Sequence, residues 1–327
     1  FKWWLLVSAN IVIFVGSLIS GTLLLRFYFQ NGGQSLWMGS LTQSMAFPLL
    51  LIFHFFFTFC FRRSNSDEPS PPYSVSLLIT MYTVMGIIYG GANALFAVGL
   101  SYLSASTFAL ITTTQIGFIS IFSFFINRQR MTPLIVNSIV ILALASSLVA
   151  VNSGSDEPAG VSHAKYLLGI FSTMLSVCLY ALMLSLSQFT FEKVRKKHSY
   201  STVIEQSIWC FLVATVVSLV GFFVSGQWKT IADEMSGFQT GRASYVATLI
   251  GTSVSWIVFG VSQIGLVFVV SSLFSNVVTV ASFAAVPIAA VVFFGDKMGG
   301  VKIIAMVMAV WGLASYLYQH YVDDVKV

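Results

Sequence analysis

Charge is the scarcest property of this sequence. Only 8% of its 327 residues are Asp, Glu, Lys or Arg, against 57% hydrophobic. Soluble domains carry roughly 25% charged residues, so this chain cannot cover a water-facing surface, and a string of soluble domains is excluded. Cysteine is nearly absent too. Cys60, Cys178 and Cys210 lie in apolar runs and form no CxxC or Cys/His spacing, which leaves no disulfide framework and no thiolate metal site. The chain contains no Asn-x-Ser/Thr acceptor for glycosylation, no H-E-x-x-H and no G-x-S-x-G, since Gly260-Val-Ser262 continues Gln-Ile. No carboxylate pair falls in mid-span. An intramembrane enzyme is therefore not expected, nor any metal or organic cofactor.

What the sequence has instead is long apolar runs. Crossing a bilayer takes about 20 apolar residues as a helix, and ten such spans can be placed, at 3–25, 36–60, 75–98, 101–126, 132–151, 165–190, 203–225, 244–269, 272–294 and 300–320. None shows the short alternating segments of a membrane barrel. The first run is long enough to span, so no cleavable signal is read there. The expected fold class is an all-α integral membrane protein of ten transmembrane helices.

The charges sit between the spans. With the N-terminus inside, Lys2, Arg62, Arg63, Arg128, Arg130, Lys193, Arg195, Lys196, Lys197 and Lys326 share one side. Arg26, Lys165, Lys229, Arg242, Lys297 and Lys302 fall on the other. This excess favours both termini in the cytoplasm. The Pro-rich segment Arg62–Pro72 reads as a cytoplasmic loop. The basic run ending at His198 reads as an anchor beside anionic lipid, not as a nucleic-acid site. The bilayer and a small molecule are the expected partners, with no obligatory protein partner.

An internal repeat carries more information. At a shift of 169 residues, Phe124-Phe-Ile-Asn-Arg128 meets Phe293-Phe-Gly-Asp-Lys297, and Leu144-Ala-Ser-Ser-Leu148 meets Leu313-Ala-Ser-Tyr-Leu317. The shift corresponds to five spans. Five is odd, so the second copy crosses in the opposite sense. Residues 1–151 and 152–327 are thus expected to form two inverted five-helix repeats, a plan that secondary transporters use with the substrate held between the halves.

Several stretches resemble the plant purine permease family of the drug/metabolite transporter superfamily. They are Gly33-Gln-Ser-Leu-Trp37, Tyr102-Leu-Ser-Ala-Ser-Thr107, Phe122-Ser-Phe-Phe-Ile-Asn127 with Thr132-Pro133, and Val269-Val-Ser-Ser-Leu-Phe-Ser-Asn276. Asp296-Lys-Met298, Gly300-Val-Lys302 and Trp311-Gly-Leu-Ala-Ser-Tyr-Leu-Tyr-Gln319 complete the set. The resemblance implies ten helices and proton-coupled uptake of adenine, cytokinins and similar nitrogen heterocycles, with protons as the coupling ion and the plasma membrane as the expected location. Relatives that favour alkaloids or vitamin B6 supply the alternative cargo on the same scaffold. A non-transporting membrane receptor is the alternative from another class. A phosphate-bearing cargo is not expected, because no Lys or Arg falls in the interior of a span.

Sorting polar residues by helical face yields the candidate site. On the third span Tyr82, Tyr89, Asn93 and Phe96 share a face. On the fourth, Gln115 stands beside the stripe of Thr107, Ile111, Thr114 and Phe118. On the eighth, Ser253, Trp256, Gly260 and Gln263 align, and on the ninth Asn276, Thr279 and Phe283 do. A purine is flat and edged with donors and acceptors, so an amide can bond it twice while a ring stacks on its face. Asn93 and Gln115 are the amide candidates. Tyr82, Tyr89, Phe96 and Trp256 are the stacking candidates, and Thr114, Tyr180, Gln43 and Asn276 are further contacts. Thr112 and Thr113 read as serving their own backbone. For proton coupling the chain offers few carboxylates in reach of a span, and Glu205 is the candidate, ahead of Asp296 and His54.

Overall fold

The computed structural model describes residues 2–61, 74–128, 161–195, 200–269, 272–296 and 299–325, with scattered positions between 132 and 148. Among these residues there is no strand. The helices are α1 (Lys2–Gln30), α2 (Leu36–Leu41), α3 (Phe47–Phe61), α4 (Val75–Tyr102), α5 (Ala105–Thr112), α6 (Gln115–Asn127), α7 (His163–Phe189), α8 (Tyr200–Val224), α9 (Ile231–Gly237), α10 (Arg242–Val269), α11 (Ser272–Phe294) and α12 (Gly300–Val325). A π-helical turn, Thr190–Arg195, extends α7.

Among the described residues, seven helical stretches are long and apolar enough to cross a membrane: Val7–Gln30, Val75–Tyr102, Ala105–Asn127, His163–Arg195, Ser201–Val224, Arg242–Val269 and Phe274–Phe294. At ~1.5 Å per residue even the shortest spans about 30 Å, the depth of bilayer hydrocarbon. They coincide with seven of the predicted spans. The other three predictions fall on α2–α3, on the scattered helical positions between 133 and 148, and on α12, whose apolar stretch Gly300–Gly312 is shorter. Segment 62–73, Lys196–His198 and Lys297 lie outside the described residues. Large apolar side chains such as Phe125, Phe171, Phe223 and Val292 are exposed on the outer faces, where lipid rather than water accommodates them.

Two predicted spans are not continuous helices. The second is interrupted by the turn Thr42–Ala46, and the fourth by Thr113–Thr114. At both places the backbone switches to three-residue hydrogen bonds: Gln43 N to Ser40 O (3.1 Å), Ser44 N to Leu41 O (3.1 Å), Thr114 N to Ile111 O (3.1 Å) and Gly117 N to Thr114 O (2.9 Å). Thr113 and Thr114 also turn their hydroxyls onto Leu110 O (2.7 Å) and Ile111 O (2.8 Å). Hydropathy cannot register such breaks, because the residues around them stay apolar.

The helices pack reciprocally. α4 lies along α7, and α1 along α10; α6 contacts α7, and α11 contacts α1. Moved 169 residues along the chain, α4 lands on α10, and the α5–α6 stretch on α11, within two residues at each end. Close approach of α4 to α8 depends on two glycines one turn apart. A Cβ on Gly86 would stand 2.5 Å from Val213 Cβ, and one on Gly90 would stand 2.9 Å from Val217 Cβ. Such small-residue pairs let membrane helices exchange lipid contacts for tight backbone packing.

The structure corrects one expectation about charge. Arg26 and Lys302, assigned to the flanks, are only 7% and 2% exposed. Arg26 Nη1 donates to Leu100 O (2.7 Å), and Lys302 Nζ to Ser106 Oγ (3.1 Å). Ser106 in turn donates from N (3.2 Å) and Oγ (3.0 Å) to Asp296 Oδ2. This cluster ties the start of α5 to the ends of α11 and α12.

Gly86→Ala should therefore destabilise the protein by about 1–3 kcal/mol through overpacking against Val213, read as a lower thermal midpoint in detergent. Gly16→Ala, with open space around the added methyl group, should leave the midpoint unchanged.

Candidate binding site

The interior face of α4 carries Tyr89, Asn93 and Phe96 into the centre of the bundle. Opposite stand Ser176, Val177 and Tyr180 of α7, Trp256 and Phe259 of α10, and Thr279 and Phe283 of α11. The two helix breaks complete the ring. One delivers Gln43, the other Thr112 and Gln115. Together with Ala92 these side chains line a narrow cavity of about 30 Å³.

The walls are mainly aromatic. Phe96 and Trp256 meet edge to face at 4.9 Å, Trp256 and Phe259 at 5.3 Å, and the ring centroids of Tyr89 and Tyr180 lie 5.7 Å apart. Tyr180 and Phe259 are near parallel at 22°, with centroids 6.5 Å apart. These ring pairs fix one another's orientation.

The polar lining divides into two groups. The first is internally satisfied. Tyr180 OH donates to Gln263 Oε1, Gln263 Nε2 to Thr279 Oγ1 (3.0 Å), and Thr279 Oγ1 to Ser275 O (2.9 Å). Ser176 Oγ donates to Ala92 O (2.8 Å), Thr112 Oγ1 to Ala109 O (2.6 Å), and Gln43 Nε2 to Asn93 O (3.0 Å). The second group is not satisfied. Asn93 Nδ2, Gln115 Nε2 and Trp256 Nε1 are buried and find no hydrogen-bond partner among the described residues. An unmet buried donor costs roughly 1–3 kcal/mol, a cost that a ligand with acceptors removes. Among the described residues lining the cavity none bears a carboxylate, imidazole, ammonium or guanidinium group. The chamber suits a flat, uncharged molecule and holds no acid–base pair for catalysis.

Of the residues singled out in the sequence, Asn93, Gln115, Tyr89, Phe96, Trp256, Tyr180 and Gln43 come together here. Tyr82, Thr114 and Asn276 do not line the cavity. Tyr82 is buried farther along α4 beside the Arg195–Glu205 pair. Thr114 turns its hydroxyl to Ile111 O. Asn276 is fully buried, and neither of its amide atoms is paired among the described residues. On the ninth span the cavity meets Thr279 and Phe283, one and two turns beyond Asn276. Phe259, one turn from Trp256, and Ser176 of α7 went unnoticed; the alternation of bulky apolar residues around them gives no signal. Glu205 lies at the start of α8, away from the cavity. Its carboxylate accepts from Arg195 Nη1 (3.0 Å) and Nη2 (2.7 Å), and its side chain is 35% exposed.

A bundle of membrane-length helices around an uncharged aromatic chamber is an integral membrane protein with a small-molecule site. Its particular kind follows from its relatives. Residues 5–326 match the family model described as purine nucleobase transmembrane transport. The chain is 48% identical over 328 residues to probable purine permease 11 of Arabidopsis thaliana, covering 100% of this chain and 85% of that one. It is 39% identical to probable purine permease 8, covering 100% and 83%, and 38% identical to purine permease 21, covering 99% and 83%, both of the same plant. The chain belongs to the purine permease family, and is thus a multi-pass membrane transporter of purine nucleobases and not an enzyme. A solved structure described only as "Crystal structure of protein" shares the fold, with a TM-score of 0.59 at 15% identity over 94% of this chain and 98% of that one.

The Tyr180–Gln263–Thr279 chain gives a stability test. Gln263→Leu should cost about 1–3 kcal/mol by stranding the Tyr180 hydroxyl. Adding Tyr180→Phe should cost less than it does in the wild type, a coupling measurable by a double-mutant cycle of thermal midpoints.

Proposed function

We propose that the protein takes up adenine-like nitrogen heterocycles, cytokinins among them, across the plasma membrane by proton-coupled alternating access. Residues 1–151 and 152–327 act as two inverted five-helix repeats, with both termini cytoplasmic and the central cavity as the substrate site. One observation carries this reading. Among the described residues, the cavity combines aromatic walls, unpaired amide donors on Asn93 and Gln115, and no charged lining residue. A purine matches each property: flat faces for the rings, acceptors on its edge, no net charge to neutralise. The reciprocal packing of α4 on α7 and α1 on α10 supports two halves that rock about a shared site.

Glu205 is the proposed proton carrier. Its bidentate pair with Arg195 joins the π-helical turn after α7 to the start of α8. A partly exposed carboxylate can reach water, and protonation removes the charge that holds the pair. Binding a proton would thereby loosen one end of α8 against α7.

Saturable uptake of labelled adenine that a protonophore abolishes, with cytokinins, alkaloids and vitamin B6 as competitors, tests the proposal. Binding without any accumulation would favour a receptor instead. Asn93→Ala and Gln115→Ala are each expected to weaken adenine binding by about 1–3 kcal/mol. Unchanged affinity in both folded variants would reject the cavity as the purine site. Glu205→Gln should retain binding and lose uphill accumulation; normal proton-driven uptake in that variant removes Glu205 from the coupling.

A further inference from the structure

From the sequence, Trp256 reads as a stacking surface. The structure shows one of its faces already occupied. A Cβ built on Gly21 of α1 would stand 3.0 Å from the indole Cε2, 3.1 Å from Nε1 and 3.3 Å from Cδ1. Nearly equal distances to three consecutive ring atoms place that point over the ring face, not off its edge. The backbone of α1 therefore covers the five-membered ring, and a methyl group at position 21 would press the indole by a few tenths of an ångström. The rings of Phe96 and Phe259 stand close to perpendicular to the indole, at 86° and 90°. The N–H edge is the part of the indole left without a hydrogen-bond partner among the described residues. Trp256 is 3% exposed, lines the cavity, and its Nε1 meets no acceptor among the described residues. The neighbouring amides of Asn93 and Gln115 can exchange oxygen for nitrogen by a flip. The indole cannot, since its nitrogen only donates.

We infer that Trp256 is a specificity-determining hydrogen-bond donor, reading one acceptor (a ring nitrogen or a carbonyl oxygen) on the heterocycle. Gly21, which does not line the cavity, is the positioning residue that seats the indole so that its edge and not its face meets the substrate. This assignment rests on the cavity being the purine site, and it narrows the substrate class to flat heterocycles with an acceptor at that one position. A heterocycle carrying C–H there leaves the indole donor unmet and is discriminated against. The adaptable amides tolerate variation elsewhere on the ring.

The test is a panel of adenine and its 1-, 3-, 7- and 9-deaza analogues, each replacing one ring nitrogen by carbon, as competitors of labelled adenine uptake. In the wild type, at least one analogue should compete about tenfold or more weakly than adenine, the effect of one lost hydrogen bond to a buried donor. In Trp256→Phe, which keeps an aromatic ring and removes the N–H, the gap between adenine and that one analogue should close while gaps at other positions persist. Gly21→Ala should narrow the same gap without changing the rank order elsewhere, a response that a general packing defect would not produce. If adenine is taken up but every deaza analogue competes equally in the wild type, the assignment is overturned and the purine reading stands. It is likewise overturned if Trp256→Phe weakens all competitors by one factor and keeps the gap. No adenine uptake at all would overturn the purine reading and this assignment together.

Discussion

Bilayer hydrocarbon offers no hydrogen-bond partner, and the arrangement of this protein follows from that constraint. Many hydroxyl groups inside the spans meet it locally, by folding back on their own helix: Thr22 on Leu18 O, Thr173 on Gly169 O, Ser207 on Val203 O, Thr215 on Phe211 O, Thr252 on Thr248 O. Such residues add polarity to the sequence without adding a site. The longer amides do not close on themselves so readily. Four of them meet at the centre, where Gln43 and Gln263 find partners across helices and the amide nitrogens of Asn93 and Gln115 meet no acceptor among the described residues.

The same constraint explains why the helix breaks lie where they do. Interrupting a helix in a membrane frees backbone groups, which is tolerable only where protein surrounds them or a cavity opens. Thr42–Ala46 and Thr113–Thr114 both border the chamber, and each break delivers an amide side chain to it. The three consecutive threonines supply hydroxyls that cover Ala109, Leu110 and Ile111 carbonyls just ahead of the second break. A polar run that reads as an anomaly in an apolar helix is the material of its interruption.

Toward its ends the bundle is held by charged groups, each embedded in donors. At the start of α8, Glu205 takes both Arg195 nitrogens. Beyond the other end of α8, Glu234 of the short helix α9 is buried and accepts from the hydroxyls of Tyr28 and Tyr245 and from Ser35 N. Gln227 supports that contact by accepting from Ser35 Oγ and Trp37 N. Polar clasps at the two ends, with an uncharged chamber between them, suit a carrier whose cargo must leave water without leaving charge behind.

Length, hydropathy and helical periodicity are properties of neighbouring residues, and what depends on them was readable from the chain. That covers an all-helical membrane protein, seven stretches confirmed as membrane-length helices, the face of α4 with Tyr89, Asn93 and Phe96, and the placing of Gln115 and Trp256 on interior faces. Tyr82 and Asn276 show where periodicity stops helping. A face continues along the whole helix, whereas a cavity touches it over two turns, and only the positions of the other helices select which two. The burial of Arg26, Lys302 and Glu234 escaped the sequence for the same reason, since their partners come from other helices or from separate segments of the chain. So did the distinction between Gln263, which has an acceptor for its amide, and Trp256, which has none among the described residues. Whether a buried donor is satisfied depends on atoms brought within about 3 Å from distant parts of the chain, and folding alone brings them there.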